Sequence, residues 1–459
     1  MLTIDEELKL AKTECCDGAD EKKTFEVIAS LVHLIEKHKS RLDNEDGVLN
    51  HEISEWAQLV GYRANLQIKV GHARDAVKFL KPLVGDDGIL GNVPLIINTY
   101  ANALTKSGKP EAAERFLFPM VQHDGYRSHD PVTHNTYAQT FRKMNKPHRA
   151  IRHLEPLLGE GALLGKDSIA HDIYANALME EGRTLDAVKH LQKAMTIPAV
   201  INSAYVQTTY ANALIHVGNP EAAVKFLEPR IQGLLHDNSA AINVYGMALV
   251  QTGRAQDAVD FLEPLATGTH FKDQYIHYTY SKALTQMNNH RRVADHFSRL
   301  VHRAEPLERH PLAHRIYATA LTKTGRADVA VRHLGAIIDS AVVKNDPGVQ
   351  HVYAQALMAI GRPDEALKHL KPLMKKNDLL AKDPYAHNIY ANALIRDRRA
   401  RTAIEFLEPL MQPGKLLCEN PFAENLLEKA QAHVAVVDEG RVRPLFRNPL
   451  PEPSRSTFG

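Results

Sequence analysis

Apolar positions along this chain recur in a rhythm of two short helices. From Asn98, the residues Tyr100, Ala101, Ala103 and Leu104 fall at i, i+1, i+3 and i+4, one face of a helix. The pattern stops at Gly108 and resumes with Ala113, Phe116 and Leu117, again three and four apart. Gly182, Gly218, Gly253, Gly325 and Gly361 stand at the equivalent break, and Asn145 and Asn288 replace glycine in two others. Gly and Asn tolerate the left-handed turn that ends a helix. Pro110, Pro147, Pro220 and Pro363 follow it, suited to the first turn of a new helix. The spacing predicts antiparallel helix pairs joined by tight turns.

The pair itself returns. Tyr62, Tyr100, Tyr137, Tyr174, Tyr210, Tyr245, Tyr280, Tyr317, Tyr353 and Tyr390 lie 35 to 38 residues apart. Alanine follows the tyrosine in most units, and a second alanine (Ala113, Ala150, Ala187 and onward) recurs in the second helix. Small residues at two fixed points let the helices of a pair approach closely. One pair leaves an apolar face bare, and the next pair covers it. A period of this size predicts an all-α fold, an α-solenoid (superhelix) of about ten helix-turn-helix repeats.

These residues resemble the tetratricopeptide repeat family, with Ala101 in the first helix, Gly108 at the turn, and Ala113 then Leu117 in the second. The resemblance covers roughly residues 51–412. It departs from the family in its longer units and in a late proline of most second helices: Pro82, Pro119, Pro156, Pro229, Pro264, Pro372 and Pro409. Proline there removes a helix hydrogen bond and is expected to shorten or kink that helix. Arg398 stands where the turn glycine belongs in the last unit.

The expected organisation has four parts. Residues 1–50 form an N-terminal segment whose stretch 23–42 has Phe25, Ile28, Leu31, Val32 and Ile35 at helical spacing, read as a cap. The repeats occupy 51–412, a capping helix lies within 413–438, and residues 439–459 are a Pro-rich tail expected to be disordered.

Composition narrows the chemistry. With 56 Lys and Arg against 54 Asp and Glu, the net charge of +2 draws the chain to neither nucleic acid nor anionic membrane. Cys15, Cys16 and Cys418 make neither a disulfide framework nor a zinc pattern, which suits a reducing compartment. The N-terminus lacks the apolar run of a signal peptide, and no stretch approaches the ~20 apolar residues of a membrane span. A cytoplasmic protein is expected. Nucleophile and phosphate-loop motifs are absent, so no enzyme and no cofactor are expected. The second-helix series Phe79, Phe116, His153, His190, Phe226, Phe261, His333, His369 and Phe406 exchanges His with Phe, which reads as a flat packing ring and not as a metal ligand.

The candidate site flanks the tyrosine. Two residues after it come Asn102, Gln139, Asn176, Asn212, Gln355 and Asn392; two before it come Asn98, Asn135, Asn243 and Asn388, with Asp172 in the same register. The two positions are i and i+4, on one helix face. Asn is a poor helix-interior residue, so its recurrence needs a reason. The family resemblance implies a concave groove in which such amides hold the backbone of an extended peptide or a partner protein. The alternative is that they bond neighbouring repeats and stiffen the stack. Lys106, Lys143, Lys323 and Arg396 share another position, broken by Glu180, and would suit an acidic or C-terminal-carboxylate peptide.

A weaker similarity, carried by VTHNTYAQTF from Val132, is to the pentatricopeptide repeats, which implies an RNA reader. Asn135 with Asp130, Asn243 with Asn238, and Asn388 with Asp383 sit five apart as a base-reading pair would. Tyr278, Arg315 and His351 break that code. RNA is therefore the second expectation, and a peptide-sensing regulator the third.

Overall fold

The computed structural model describes residues 50–84, 90–122, 125, 128–302, 307–375 and 378–438. The expected capping helix over 23–42 and the tail 439–459 lie outside these residues. Among the described residues the regular structure is α-helical, with one short 3-10 turn at Glu155–Leu157.

The helices alternate as first and second members of hairpins, making an α-solenoid. The first members are Asn50–Lys69, Pro94–Lys106, Pro131–Lys143, Ser168–Glu180, Ala204–His216, Ser239–Gln251, Gln274–Gln286, Pro311–Lys323, Pro347–Ala359 and Pro384–Arg396. Each is followed by a shorter or equal second member, from Ala73–Val84 to Ala400–Leu410, and Pro421–Asp438 packs after the last. The described residues divide into two compact units, one ending at Leu262 and one beginning at Glu263.

Local chemistry sets the ends of each first helix. Asp130, Asp167, Asn238, Asp273, Asp346 and Asp383 cap their N-termini by accepting backbone N–H groups, as in Ile169 N to Asp167 Oδ1 at 2.8 Å. The C-termini close in a left-handed turn. At Gly108 φ is +83°, Lys109 N donates to Leu104 O at 2.9 Å, and Gly108 N donates to Thr105 O at 3.2 Å. This double bond pattern answers the last carbonyls of the helix. Arg398 adopts the same conformation at φ +60° without glycine's freedom.

The late prolines act unevenly. Pro119, Pro229, Pro264, Pro372 and Pro409 sit inside their helices, but at Pro156 the helix Pro147–Leu154 stops after eight residues and continues as the 3-10 turn.

In the first unit the core runs from Ala57 to Val206, with Ala101, Ala113, Leu117, Ala138, Ala175 and Leu191 fully buried. The repeated tyrosine packs edge-on against the ring of its own second helix: Tyr100 meets Phe116 at 5.0 Å and 84°. Histidine keeps this contact where it replaces Phe, with Tyr137 and His153 at 4.9 Å and 79°. Glu114 pairs with Arg149 of the next hairpin at 2.6 Å. The second unit repeats the scheme, with Tyr317 edge-on to His333 and Glu263 paired to Arg292 at 2.6 Å. Its last hairpin shares a cluster of Ala391, Leu407, Leu417 and Ala423 with the helix Pro421–Asp438.

Candidate functional site

In the first unit, the first helices of successive hairpins line a cleft of about 790 Å³ between Asn65 and Ile173. The thirteen-residue helices Pro94–Lys106 and Pro131–Lys143 present matched rows to it. The rows fall three or four residues apart, so each helix shows one face. Leu95 and Val132, with Ile169 from the next hairpin, form an apolar row that is 43%, 55% and 50% exposed. Asn98 and Asn135 come next, then Asn102 and Gln139, then the exposed Lys106 and Lys143.

The floor is polar and incompletely bonded. Asn98 is 9% exposed, and neither its Nδ2 nor its Oδ1 has a partner. Asn135 is 6% exposed; its Nδ2 donates to Asp167 Oδ2 at 3.3 Å, and its Oδ1 has no partner. Gln139 Oε1 accepts from Arg142 Nη1 at 3.1 Å, while Arg142 also grips both Glu180 oxygens at 3.0 and 2.6 Å. Thr99 and Thr136 turn their hydroxyls back onto Leu95 O and Val132 O at 2.7 and 2.8 Å. Lys106 and Lys143 bring positive charge to the rim, and Asp167, which caps the next first helix, also lines the cleft.

Four of the ten amides expected at a binding surface, Asn98, Asn102, Asn135 and Gln139, therefore share this cleft. The others are placed differently. Asn176 Nδ2 donates to Asp172 O at 2.9 Å, Asp172 Oδ1 at 3.0 Å and Thr209 Oγ1 at 3.4 Å, tying two hairpins together. Burial raises the Asp172 carboxyl above its ordinary range, against the bonds from Thr209 and Asn176 and the nearby Arg142. Asn212 and Asn243 are half-buried further along this unit. In the second unit Gln355 Nε2 donates to Tyr385 Oη at 2.6 Å, Asn388 Nδ2 donates to Asn420 Oδ1 at 3.2 Å, and Asn392 is half-buried. Asn135, Asn176, Gln355 and Asn388 thus carry bonds from one hairpin to the next. The loop residues of the three base-reading pairs, Asp130, Asn238 and Asp383, serve as N-caps.

Two features of the site lie beyond the sequence reading above. The apolar row sits five residues before Tyr100, Tyr137 and Tyr174, and the same offset carries Tyr205, Tyr275 and Tyr385, 64%, 60% and 52% exposed, but Ala240 and Gly348 in two other hairpins. A fixed offset carrying large apolar residues is the signal that finds it. Three residues before the tyrosine, His134, His171, His277 and His314 are buried, each facing the second-helix histidine of its own hairpin. Among the described residues no three His, Cys, Asp or Glu side chains gather as metal ligands, and no helix is long and apolar enough to cross a membrane.

Two family models match, both described as tetratricopeptide repeats, one over residues 199–275 and one over residues 354–408. No curated protein matches the chain. Among solved structures, a human IFIT1 dimer with m7Gppp-AAAA is 16% identical, covering 89% of this chain and 89% of that one at a TM-score of 0.46. A human IFIT1 dimer with PPP-AAAA is 14% identical, covering 88% and 94% at 0.43. A tetratricopeptide repeat protein from Parabacteroides merdae is 14% identical, covering 61% and 98% at 0.41. Similarity at these levels carries no argument about what this chain binds.

Proposed function

We propose that this chain, whose residues 199–275 and 354–408 match tetratricopeptide-repeat models, is a protein-binding scaffold whose first-unit cleft holds an extended peptide segment of a partner. The observation that carries this reading is the pair of buried amides. Asn98 and Asn135 leave three polar atoms without partners at the cleft floor. A buried polar group without a hydrogen bond costs about 1–3 kcal/mol. A peptide backbone supplies both the N–H and the C=O that an asparagine amide can pair with.

The apolar row shapes the ligand further. Packed helices stand about 8–10 Å apart, and an extended chain in the polyproline II form, with three residues per turn, advances about 3.1 Å per residue and returns a side chain to the same face about every 9 Å. Successive pockets at Leu95, Val132 and Ile169 therefore match a peptide with an apolar side chain at about every third position. Lys106 and Lys143 favour acidic residues on the opposite edge. The role is one of binding, not catalysis. Three cysteines without a pairing pattern fit a reducing setting such as the cytoplasm.

RNA is the competing ligand. Against it stand the near-neutral charge and the use of Asp130, Asn238 and Asp383 as helix caps. The test is affinity capture from lysate with and without RNase, paired with binding to an arrayed library of extended peptides carrying apolar residues every third position. The double variant Asn98→Ala/Asn135→Ala runs beside the unmodified protein. Peptide binding reduced at least 10-fold in the variant supports the reading. RNase-sensitive capture with no peptide bound overturns it.

A further inference from the structure

Four hairpins carry a histidine in each helix, nineteen residues apart, and the two rings meet. Nδ1 of the first ring faces Nε2 of the second at 3.0 Å for His134 and His153, 2.9 Å for His171 and His190, 2.9 Å for His277 and His296, and 3.0 Å for His314 and His333. In every case Nε2 of the first ring also meets a carbonyl six residues earlier: Ser128 O at 3.0 Å, Gly165 O at 3.1 Å, Phe271 O at 2.7 Å and Glu308 O at 2.7 Å.

This geometry assigns the protons. A carbonyl only accepts, so Nε2 of the first ring bears the hydrogen and, in the neutral ring, its Nδ1 is bare. The second ring must then donate from its own Nε2. Both rings are neutral Nε2–H tautomers in a directed chain from second helix to first helix to preceding loop. One added proton fits on Nδ1 of the second ring with both bonds kept. A second proton must go to Nδ1 of the first ring, where two N–H groups would point at each other across about 3 Å, and the bond becomes a repulsion.

We propose that these four pairs are acid-released clasps, closing their hairpins and anchoring the preceding loops when neutral, and letting both loosen together when protonated. The surroundings support the assignment. Burial first, and the first ring's proximity second, push His153, His190 and His333 down to about 4 and His296 to about 3. Burial likewise lowers His134, His171, His277 and His314, partly offset by the carbonyl bond.

The charged and titratable groups around each pair differ. Asp130 and His129 act on His134, while Tyr137, flanked by Glu114 and Arg149, stands edge-on to His153. Asp167 and Lys193 act on the second pair, with Tyr174 over His190 and Glu155, Arg183 and Asp186 acting on that tyrosine. Asp273, Arg292 and Arg299 act on the third, with Tyr280 beside His296 and Glu263 bonded to that tyrosine. Glu308, His310 and His302 act on the fourth, with Tyr317, flanked by Arg326 and Asp295, edge-on to His333. Protons also have a route in. His171 and His190 line a cavity of about 760 Å³, and His296 lines another of about 620 Å³.

The chain contains its own comparison. Ile97 with Phe116, and Ile242 with Phe261, occupy the same two places with nothing to titrate. Gln207 and Gln350 keep only the loop bond, donating to Ile201 O at 2.5 Å and Lys344 O at 3.1 Å.

The test is hydrogen exchange followed by mass spectrometry at neutral pH and at about pH 5, corrected for intrinsic exchange rates. Opening lets both rings regain ordinary affinity for protons, so protection in residues 131–154, 168–191, 274–297 and 311–334 is expected to fall roughly 100-fold or more. Residues 94–117 and 239–262 are expected to change little. The variant His134→Ile/His153→Phe copies the Ile97 and Phe116 arrangement and is expected to abolish the acid response in its own hairpin alone. Uniform loss across all hairpins, or an unchanged response in the variant, overturns the proposal. If the variant fails to fold, ring-nitrogen NMR of the unmodified protein decides. Rings held as neutral Nε2–H tautomers below pH 6 support clasps, and independent titration near the ordinary histidine value overturns them.

Discussion

Asparagine in mid-helix is disfavoured unless something answers its amide, and this chain answers it in two ways. Asn176 is answered within the protein, by Asp172 and Thr209. Replacing it with alanine is expected to cost about 1 kcal/mol in chemical denaturation, because the buried Asp172 loses a donor. Asn98 is answered by nothing among the described residues. Asn98→Ala is expected to raise the denaturation midpoint, because it removes the unpaired amide, while weakening peptide binding. A loss of several kcal/mol at Asn98 would make its amide structural. The sequence shows these two residues as members of one series. What separates them is whether the next hairpin brings a Thr or Asp within reach, and that depends on the approach of helices more than thirty residues apart.

At the scale of the helix, the ends are decided by local chemistry and were the most readable part of the chain. The Gly, Asn and Pro signals mark turns that the structure places at positive φ, from Gly71 to Gly361. Arg398 is the exception that tests the rule. It holds φ +60° in a place where a Cβ is unfavourable by roughly 1 kcal/mol. Arg398→Gly is expected to raise thermal stability slightly, and Gly108→Ala, at φ +83°, to lower it by a similar amount. Circular-dichroism melts of both variants check the pair of signs. The proline reading was less complete. The sequence places a proline late in most second helices, but the helix runs on through Pro119 and gives way to a 3-10 turn at Pro156.

Across the whole molecule the buried histidines add up to a pH dependence. His153, His190, His333 and His369 are held at about 4 and His296 at about 3, against an unfolded value near 6.5. Below about pH 6.5 the unfolded chain binds more protons than the folded one. Stability is therefore complete above that value, falls as pH drops toward about 4, and levels off beneath it. Asp172 acts in the opposite sense, because its raised carboxyl takes up a proton more readily when folded. Glu263, lowered by Arg292, adds to the acid loss only below the ordinary carboxylate range. Thermal unfolding in steps from about pH 7.5 to about pH 4.5 should show the midpoint falling most steeply between about pH 6 and pH 4.5. A flat profile across that window would mean the rings are open to water.

The sequence by itself determined the helical class, the hairpin unit, its turns and its small-residue contacts, because each follows from residues fewer than forty apart and repeats along the chain. It also placed amides and lysines on one face of several first helices, Pro94–Lys106 and Pro131–Lys143 among them. Only the tertiary structure decided which amides are spent between hairpins and which are left at a cleft floor. It also bonded an unremarked first-helix histidine to the second-helix ring position that the sequence reads as packing. Hydrogen-bond partnership rests on tenths of an ångström between side chains from different helices, and a periodic pattern records spacing along the chain, not distance across it.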